Sequence, residues 1–110
     1  MNKYYEFLKE NLEGYEFDVK GYICKASVGR YCTGENIAIA ILNLGSRGYE
    51  PYCKFTVNIP EIELEEYEII TDEFSLNEVA CELLKSGFFE RTEKGVKCEF
   101  KTYPIWEVKT

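Results

Sequence analysis

The feature that most constrains the fold is a run from Asn36 to Leu42 that reads Asn-Ile-Ala-Ile-Ala-Ile-Leu. Successive side chains of a strand point to opposite faces, so the isoleucines would share one face and the alanines the other. A strand that is apolar on both faces has to be covered on both. The run therefore predicts a central strand of a sheet, and its small alanine face predicts the close approach of a helix.

Alternation of apolar and polar residues recurs on both sides of this run, and it indicates further strands. The predicted strands cover residues 15–19, 22–31, 52–59, 67–71, 88–92 and 96–101. Turns or breaks are predicted at Gly21, at Thr33-Gly34-Glu35 and at Glu93-Lys94-Gly95, because glycine adopts the backbone angles that tight turns need. Pro60 is expected to end the strand before it.

Two segments have helical spacing instead. Asn2 can cap a first helix whose apolar residues recur every three or four positions and which stops near Gly14. Ser75 and Glu78 have the spacing of a capping box, which predicts a second helix over about residues 75–86. Phe74 and Val79 stand at the two positions of a hydrophobic staple.

The order of these elements predicts an α+β fold, with a mostly antiparallel twisted sheet of about five to six strands and both helices on one face. The chain has 110 residues, a common size for one domain, so residues 1–110 are expected to form a single domain. No run approaches the roughly 18 apolar residues of a membrane span, so a cytoplasmic protein that does not contact membranes is expected.

Residue chemistry argues against catalysis and metal binding. The chain has no histidine, which is the usual base beside a nucleophilic Ser or Cys. Its five cysteines share no Cys-x-x-Cys spacing, so they are expected to be free core thiols of a reducing compartment. We therefore predict no catalytic residue, no metal and no cofactor, although a Ser-Lys pair or a carboxylate pair would still be compatible with the composition.

Charge is distributed unevenly along the chain. The net charge is −7, but no Lys or Arg occurs between Phe55 and Leu84, where nine acidic residues lie. We call residues 61–73 the acidic segment. If it were extended, Glu61, Glu63 and Glu65 would present carboxylates about 6.8 Å apart on one face. Such a row imitates a phosphate backbone and would repel nucleic acid itself.

The acidic segment is therefore the predicted interaction site, with a basic protein surface as its partner and Tyr67 as an aromatic anchor. The predicted contact residues are Glu61, Glu63, Glu65, Glu66, Tyr67, Glu68, Asp72 and Glu73. The alternative interpretation is an ordinary solvated surface, in which Glu also prevents aggregation at a sheet edge.

Several local sequences resemble a family of small bacterial and phage proteins that is defined as a domain of unknown function. The similarity covers about Asn36 to Val108, and its most specific parts are Thr56-Val-Asn-Ile-Pro60 and the helix start between Asp72 and Glu78. Thr71 departs from the family, where a lysine is usual before Asp72. The resemblance implies no activity, but it implies a mobile-element setting, in which small acidic proteins commonly block host defence enzymes.

Together these observations predict a non-catalytic interaction protein, most concretely an anti-defence inhibitor such as an anti-CRISPR protein. Its expected partner is a defence effector whose basic channel normally holds DNA or RNA. Two other functions stay open. One is a small-ligand-binding or regulatory domain with a pocket between sheet and helix, either monomeric or homodimeric. The other is a small hydrolase or transferase.

Overall fold

The computed structural model describes residues 2–32 and 35–109. These residues form two helices and seven strands, which confirms the predicted α+β class. In chain order the elements are α1 (Lys3–Asn11), β1 (Glu16–Val19), β2 (Tyr22–Arg30), β3 (Ile37–Gly45), β4 (Gly48–Lys54), β5 (Glu68–Ile70), α2 (Asn77–Lys85), β6 (Phe89–Cys98) and β7 (Lys101–Val108). The turn predicted at Thr33 and Gly34 lies outside the described residues.

The strands form two antiparallel sheets, where the alternation pattern predicts one sheet of five to six strands. The first sheet has the order β1-β2-β3-β4 and the second has the order β5-β7-β6. β3 lies between β2 and β4, as the apolar run predicts. β7 is the central strand of the second sheet, and both β5 and β6 pair with it.

The chain crosses between the two sheets at Phe55 and Thr56, which is why the predicted strand 52–59 is wrong beyond Lys54. The Phe55 amide donates to the carbonyl of Ile39 in the first sheet at 2.9 Å. One residue on, Thr56 bridges to Thr71 beside the second sheet. The Thr56 hydroxyl also accepts a hydrogen bond from the Ile39 amide at 2.9 Å, so one short segment belongs to both sheets.

The first helix begins as predicted. The side-chain oxygen of Asn2 accepts hydrogen bonds from the amides of Tyr4 and Tyr5 at 2.9 and 3.1 Å. These bonds satisfy two of the amide groups that lack partners at a helix start. Leu8 and Leu12 are fully buried and fix the helix on the first sheet.

The second helix begins at Asn77, so the predicted capping box and staple are wrong. No side chain caps its first turn, and Phe74 is 66% exposed while Val79 is buried. Residues 73–76 form a turn instead, in which the Leu76 amide donates to the Asp72 carbonyl at 3.0 Å. Within this turn the buried Glu73 carboxylate accepts from the indole N–H of Trp106. The predicted stop is confirmed, since Gly87 has a φ of +83°.

The main core lies between the two helices and both sheets. It contains the isoleucine face of β3 and the inward face of α2, together with Phe55 and Trp106. Both helices lie on the sheet face that carries these isoleucines, where α1 packs against β2 and α2 packs against β1. The expectation that a helix covers the alanine face is therefore wrong. Ala38 and Ala40 are partly exposed on the outer face of the sheet.

The C-terminal hairpin is longer than predicted. The predicted turn at residues 93–95 is not formed: residues 92–94 make a bulge inside β6, Gly95 pairs with Pro104, and the hairpin turns at Glu99 and Phe100. The bulge is held by the Thr92 hydroxyl, which donates to the Ile105 carbonyl at 2.6 Å and accepts from the Lys94 amide at 3.0 Å. Side-chain hydrogen bonds of this kind stabilise a bulge, so a segment whose sequence is typical of a turn lies within a continuous strand.

The cysteines are free thiols, but the expectation that they belong to the core holds only in part. Cys24 is buried and Cys53 is half-buried. Cys32, Cys81 and Cys98 are exposed.

Candidate functional site

The first half of the acidic segment is a pinned loop. The Ile62 amide donates to the Ile59 carbonyl at 3.0 Å, and this bond closes a turn at residues 59–62. No strand occurs between Val57 and Tyr67. The extended row of carboxylates predicted at Glu61, Glu63 and Glu65 is therefore not formed.

Apolar side chains hold this loop against the second sheet. Val57, Ile59, Ile62 and Leu64 pack on a small core formed by Ile70, Val96 and Ile105. These apolar residues alternate with the glutamates along the loop. The apolar side chains therefore hold the loop in place while the carboxylates face solvent. The exposed glutamates are Glu61, Glu63, Glu65 and Glu66. Within residues 2–32 and 35–109, none of these carboxylates pairs with a Lys or Arg.

Glu68 lies in β5 and is part of the structure rather than of the surface. Its side chain is 5% exposed, and one carboxylate oxygen accepts from the Lys94 ammonium at 2.8 Å. The other oxygen accepts from the amide of Glu65 at 2.9 Å. Burial acts to raise the pKa of Glu68, but the Lys94 and Glu65 bonds outweigh it and lower the pKa below its usual value. The same pair raises the pKa of Lys94.

Asp72 and Glu73 are also held by cations of the C-terminal hairpin. Asp72 pairs with Lys101 at 3.0 Å, and this bond raises the pKa of Lys101. Glu73 accepts from the indole of Trp106 at 2.8 Å and from the Arg91 guanidinium at 2.7 Å. The structure thus separates the predicted contact residues into four free carboxylates and three internally paired ones.

Tyr67 joins the acidic segment to the N-terminus of α1. Its ring packs edge-on against Tyr4, with ring centroids 5.6 Å apart, and it is partly buried. Beside it, the Asn2 side chain donates to the carbonyl of Glu66 at 3.1 Å. These contacts fix the end of the loop, so Tyr67 contributes more to the position of the glutamates than to the exposed surface.

The loop forms one wall of an acidic cleft of about 270 Å³. The opposite wall consists of Arg30 and residues 35–37, so Glu35 lines the same cleft as Glu65 and Glu66, across from them. Four carboxylates line the cleft against one guanidinium, and Arg30 already lies over the ring of Tyr5 at 4.6 Å. The cleft suits a cationic side chain. Among the described residues no cluster of three or more Cys, Asp or Glu could hold a metal ion.

Sequence reasoning missed two parts of this surface. Glu35 lies outside the acidic segment, and only the packing of residues 35–37 beside the loop brings it to the cleft. A separate groove of about 430 Å³ runs along β6 and β7. Phe74 forms part of the wall of this groove. The sequence predicted that Phe74 packs on Val79 as a hydrophobic staple, but in the structure it is 66% exposed.

Comparisons with known proteins give no match: no family model, no curated protein and no solved structure is similar to this chain. The resemblance to a bacterial and phage family stays a prediction. In the part of the chain that the structure describes, neither helix is long and apolar enough to cross a membrane.

Proposed function

We propose that this protein is a non-catalytic interaction module that binds a basic protein surface through its acidic loop. The contact residues are Glu61, Glu63, Glu65 and Glu66, with Glu35 across the cleft. The observation that carries this proposal is the contrast within one segment. The glutamates before residue 67 are exposed and unpaired in the described structure, while Glu68, Asp72 and Glu73 are neutralised by cations.

Electrostatics supports this assignment. Like charges held close together destabilise a fold by self-repulsion, and a partner that supplies cations relieves it. The apolar anchors at Ile59, Ile62 and Leu64 hold the glutamates in place before binding. Because the loop is already ordered, less conformational entropy is lost when the partner docks. A pinned acidic loop is therefore a better recognition element than a disordered acidic tail of the same charge.

The finer form of the proposal is that the partner is a nucleic-acid-binding protein, such as an effector of a bacterial defence system, whose basic channel the loop occupies. The support for it is chemical. A cationic channel that binds phosphates is also complementary in charge to a fixed cluster of carboxylates. Binding should then weaken steeply with salt, and DNA or RNA should compete for the channel.

The test is capture of partners on the immobilised protein at low salt, followed by elution with either high salt or an excess of DNA. The test variant reverses the four exposed loop charges, E61K, E63K, E65K and E66K. The matched control reverses four exposed acids elsewhere, E10K, D18K, E50K and E90K, and so has the same net charge.

A nucleic-acid-binding protein that DNA displaces, that the loop variant fails to retain and that the control retains would support the proposal. Equal loss of the partner in both variants would show that bulk charge alone attracts it. Retention of the partner by the loop variant would place the contact elsewhere on the molecule. Either of these two results would refute the proposed site.

A further inference from the structure

The groove along the C-terminal hairpin is separate from the acidic loop. It follows three cross-strand pairs of β6 and β7, which are Arg91 with Trp106, Gly95 with Pro104 and Lys97 with Thr102. Trp106 is fully buried in the main core, where its ring packs on Phe55 and Phe89. One face of the hairpin therefore has two environments. At Trp106 this face is buried in the main core, and at Gly95 and Pro104 the same face forms the groove.

A missing side chain shapes the floor of the groove. Gly95 has an ordinary backbone conformation that any residue could adopt. A Cβ added there would lie 3.4 Å from the Thr102 methyl group and 3.6 Å from the Tyr103 carbonyl. Because this position holds glycine and the opposite one holds the compact ring of Pro104, the hairpin surface is hollow at its centre. Phe74 stands at the side of this hollow and is 66% exposed.

The charge of the groove is opposite to that of the whole chain. Arg91, Lys94 and Lys97 line it against Glu73 and Glu93, in a protein whose net charge is −7. Glu73 pairs with Arg91 at 2.7 Å, and Glu68 pairs with Lys94 at 2.8 Å. Neither bond uses up the donors, since a guanidinium has five N–H groups and an ammonium has three. The ammonium of Lys97 makes no ion pair with the described residues.

We propose that this groove binds a small amphipathic acid, with an aromatic or aliphatic body over Gly95 and Pro104 and an anionic head at Lys97. The volume of about 430 Å³ lies in the range of small-molecule sites, which combine an apolar lining with a few fixed polar groups. Charge complementarity selects an anion. The exposed Phe74 ring supplies an aromatic wall against which a flat body can stack.

The probe is anilinonaphthalene sulfonate, an aromatic anion whose fluorescence rises in an apolar site. Titration should saturate at one probe per chain and quench Trp106, the single tryptophan. The uncharged analogue phenylnaphthylamine should bind more weakly, because it lacks the anionic head. Gly95→Val fills the floor and should weaken binding at least about tenfold. Lys97→Gln should weaken it by up to about fivefold, as expected for an exposed ion pair.

Matched controls distinguish probe binding in the groove from nonspecific binding elsewhere on the protein. Gly29→Val places the same side chain on another strand glycine that has open space around it, and Arg47→Gln removes an exposed cation from a distant turn. Both should bind the probe like the wild type. Near-ultraviolet circular dichroism checks that each variant is folded.

Probe binding that is lost in Gly95→Val and kept in Gly29→Val would confirm the site. The proposal would be overturned by unsaturable binding or by equal binding to both valine variants. Sedimentation velocity tests whether the groove instead binds a second copy of the chain. If the chain self-associates and Gly95→Val abolishes that association, the groove holds a second copy and the ligand assignment is wrong.

Discussion

Replacement of Glu73 by alanine is expected to destabilise the fold strongly, because it removes the acceptor of a buried donor. The Glu73 side chain is 9% exposed, and its two oxygens accept from the Trp106 indole and the Arg91 guanidinium at 2.8 and 2.7 Å. Trp106 itself is fully buried. Its N–H donates to the Glu73 carboxylate and loses this acceptor in the alanine variant.

The magnitude follows from the two bonds. A buried donor left without a partner costs about 1–3 kcal/mol. The Arg91 side chain is 54% exposed, so solvent screens the ion pair and its contribution is at most about 1 kcal/mol. Glu73→Ala should therefore lower the free energy of unfolding by about 1–4 kcal/mol. Glu73→Gln keeps an acceptor for the indole, and it should cost about 1 kcal/mol or less.

The assay is urea unfolding followed by far-ultraviolet circular dichroism in a double-mutant cycle with Trp106→Phe. Phenylalanine has no indole N–H, so in that background Glu73→Ala should cost about 1–3 kcal/mol less than in the wild type. The reasoning is refuted if Glu73→Ala costs the same in both backgrounds, or if glutamine is as damaging as alanine.

Three further predictions concern acid stability, thiol reactivity and backbone conformation. The lowered pKa of Glu68 means that its contribution to stability is complete above the unfolded pKa of about 4.3 and is lost as the pH falls through the folded pKa. Urea titrations between about pH 3 and pH 6 should therefore show a shallower acid limb for Glu68→Gln than for the wild type, and equal slopes would contradict this. Dithionitrobenzoate should label three thiols quickly and two slowly, because burial raises the pKa of Cys53 to about 11 and Cys24 is buried; five equal rates would be inconsistent with the packing. Gly87→Ala should cost about 1 kcal/mol in a thermal melt, since φ is +83° there, while Gly29→Ala should be neutral or slightly stabilising.

Local sequence signals predicted most elements because each signal has a local cause. Asn2 caps α1 since its side chain reaches amides two and three residues away. The isoleucines of β3 are buried because strand periodicity puts them on one face. The stop at Gly87 depends only on one backbone angle. These features need no knowledge of distant residues.

Several misplaced features depend on contacts between distant residues. The crossover at Thr56 is fixed by Ile39 and Thr71, which alternation cannot reveal. The turn before α2 contains Glu73, whose carboxylate is bonded to Trp106 33 residues away, and the capping sequence at Ser75 does not reveal this contact. The candidate site shows the same limit. A charge count treats Glu66 and Glu68 alike, and only the approach of Lys94 from β6 distinguishes them.

The position of β7 has a consequence for how the protein is made. β5 and β6 do not pair with each other, and β7 is the strand partner of both. On the ribosome, β1 to β4 emerge in the order in which they pair, so the first sheet can form during translation. The contacts of Phe55 and Phe89 with the Trp106 ring cannot form until Trp106 has left the exit tunnel. Nascent chains that stop before Lys101 would therefore leave part of the core uncovered and accessible to chaperones and proteases.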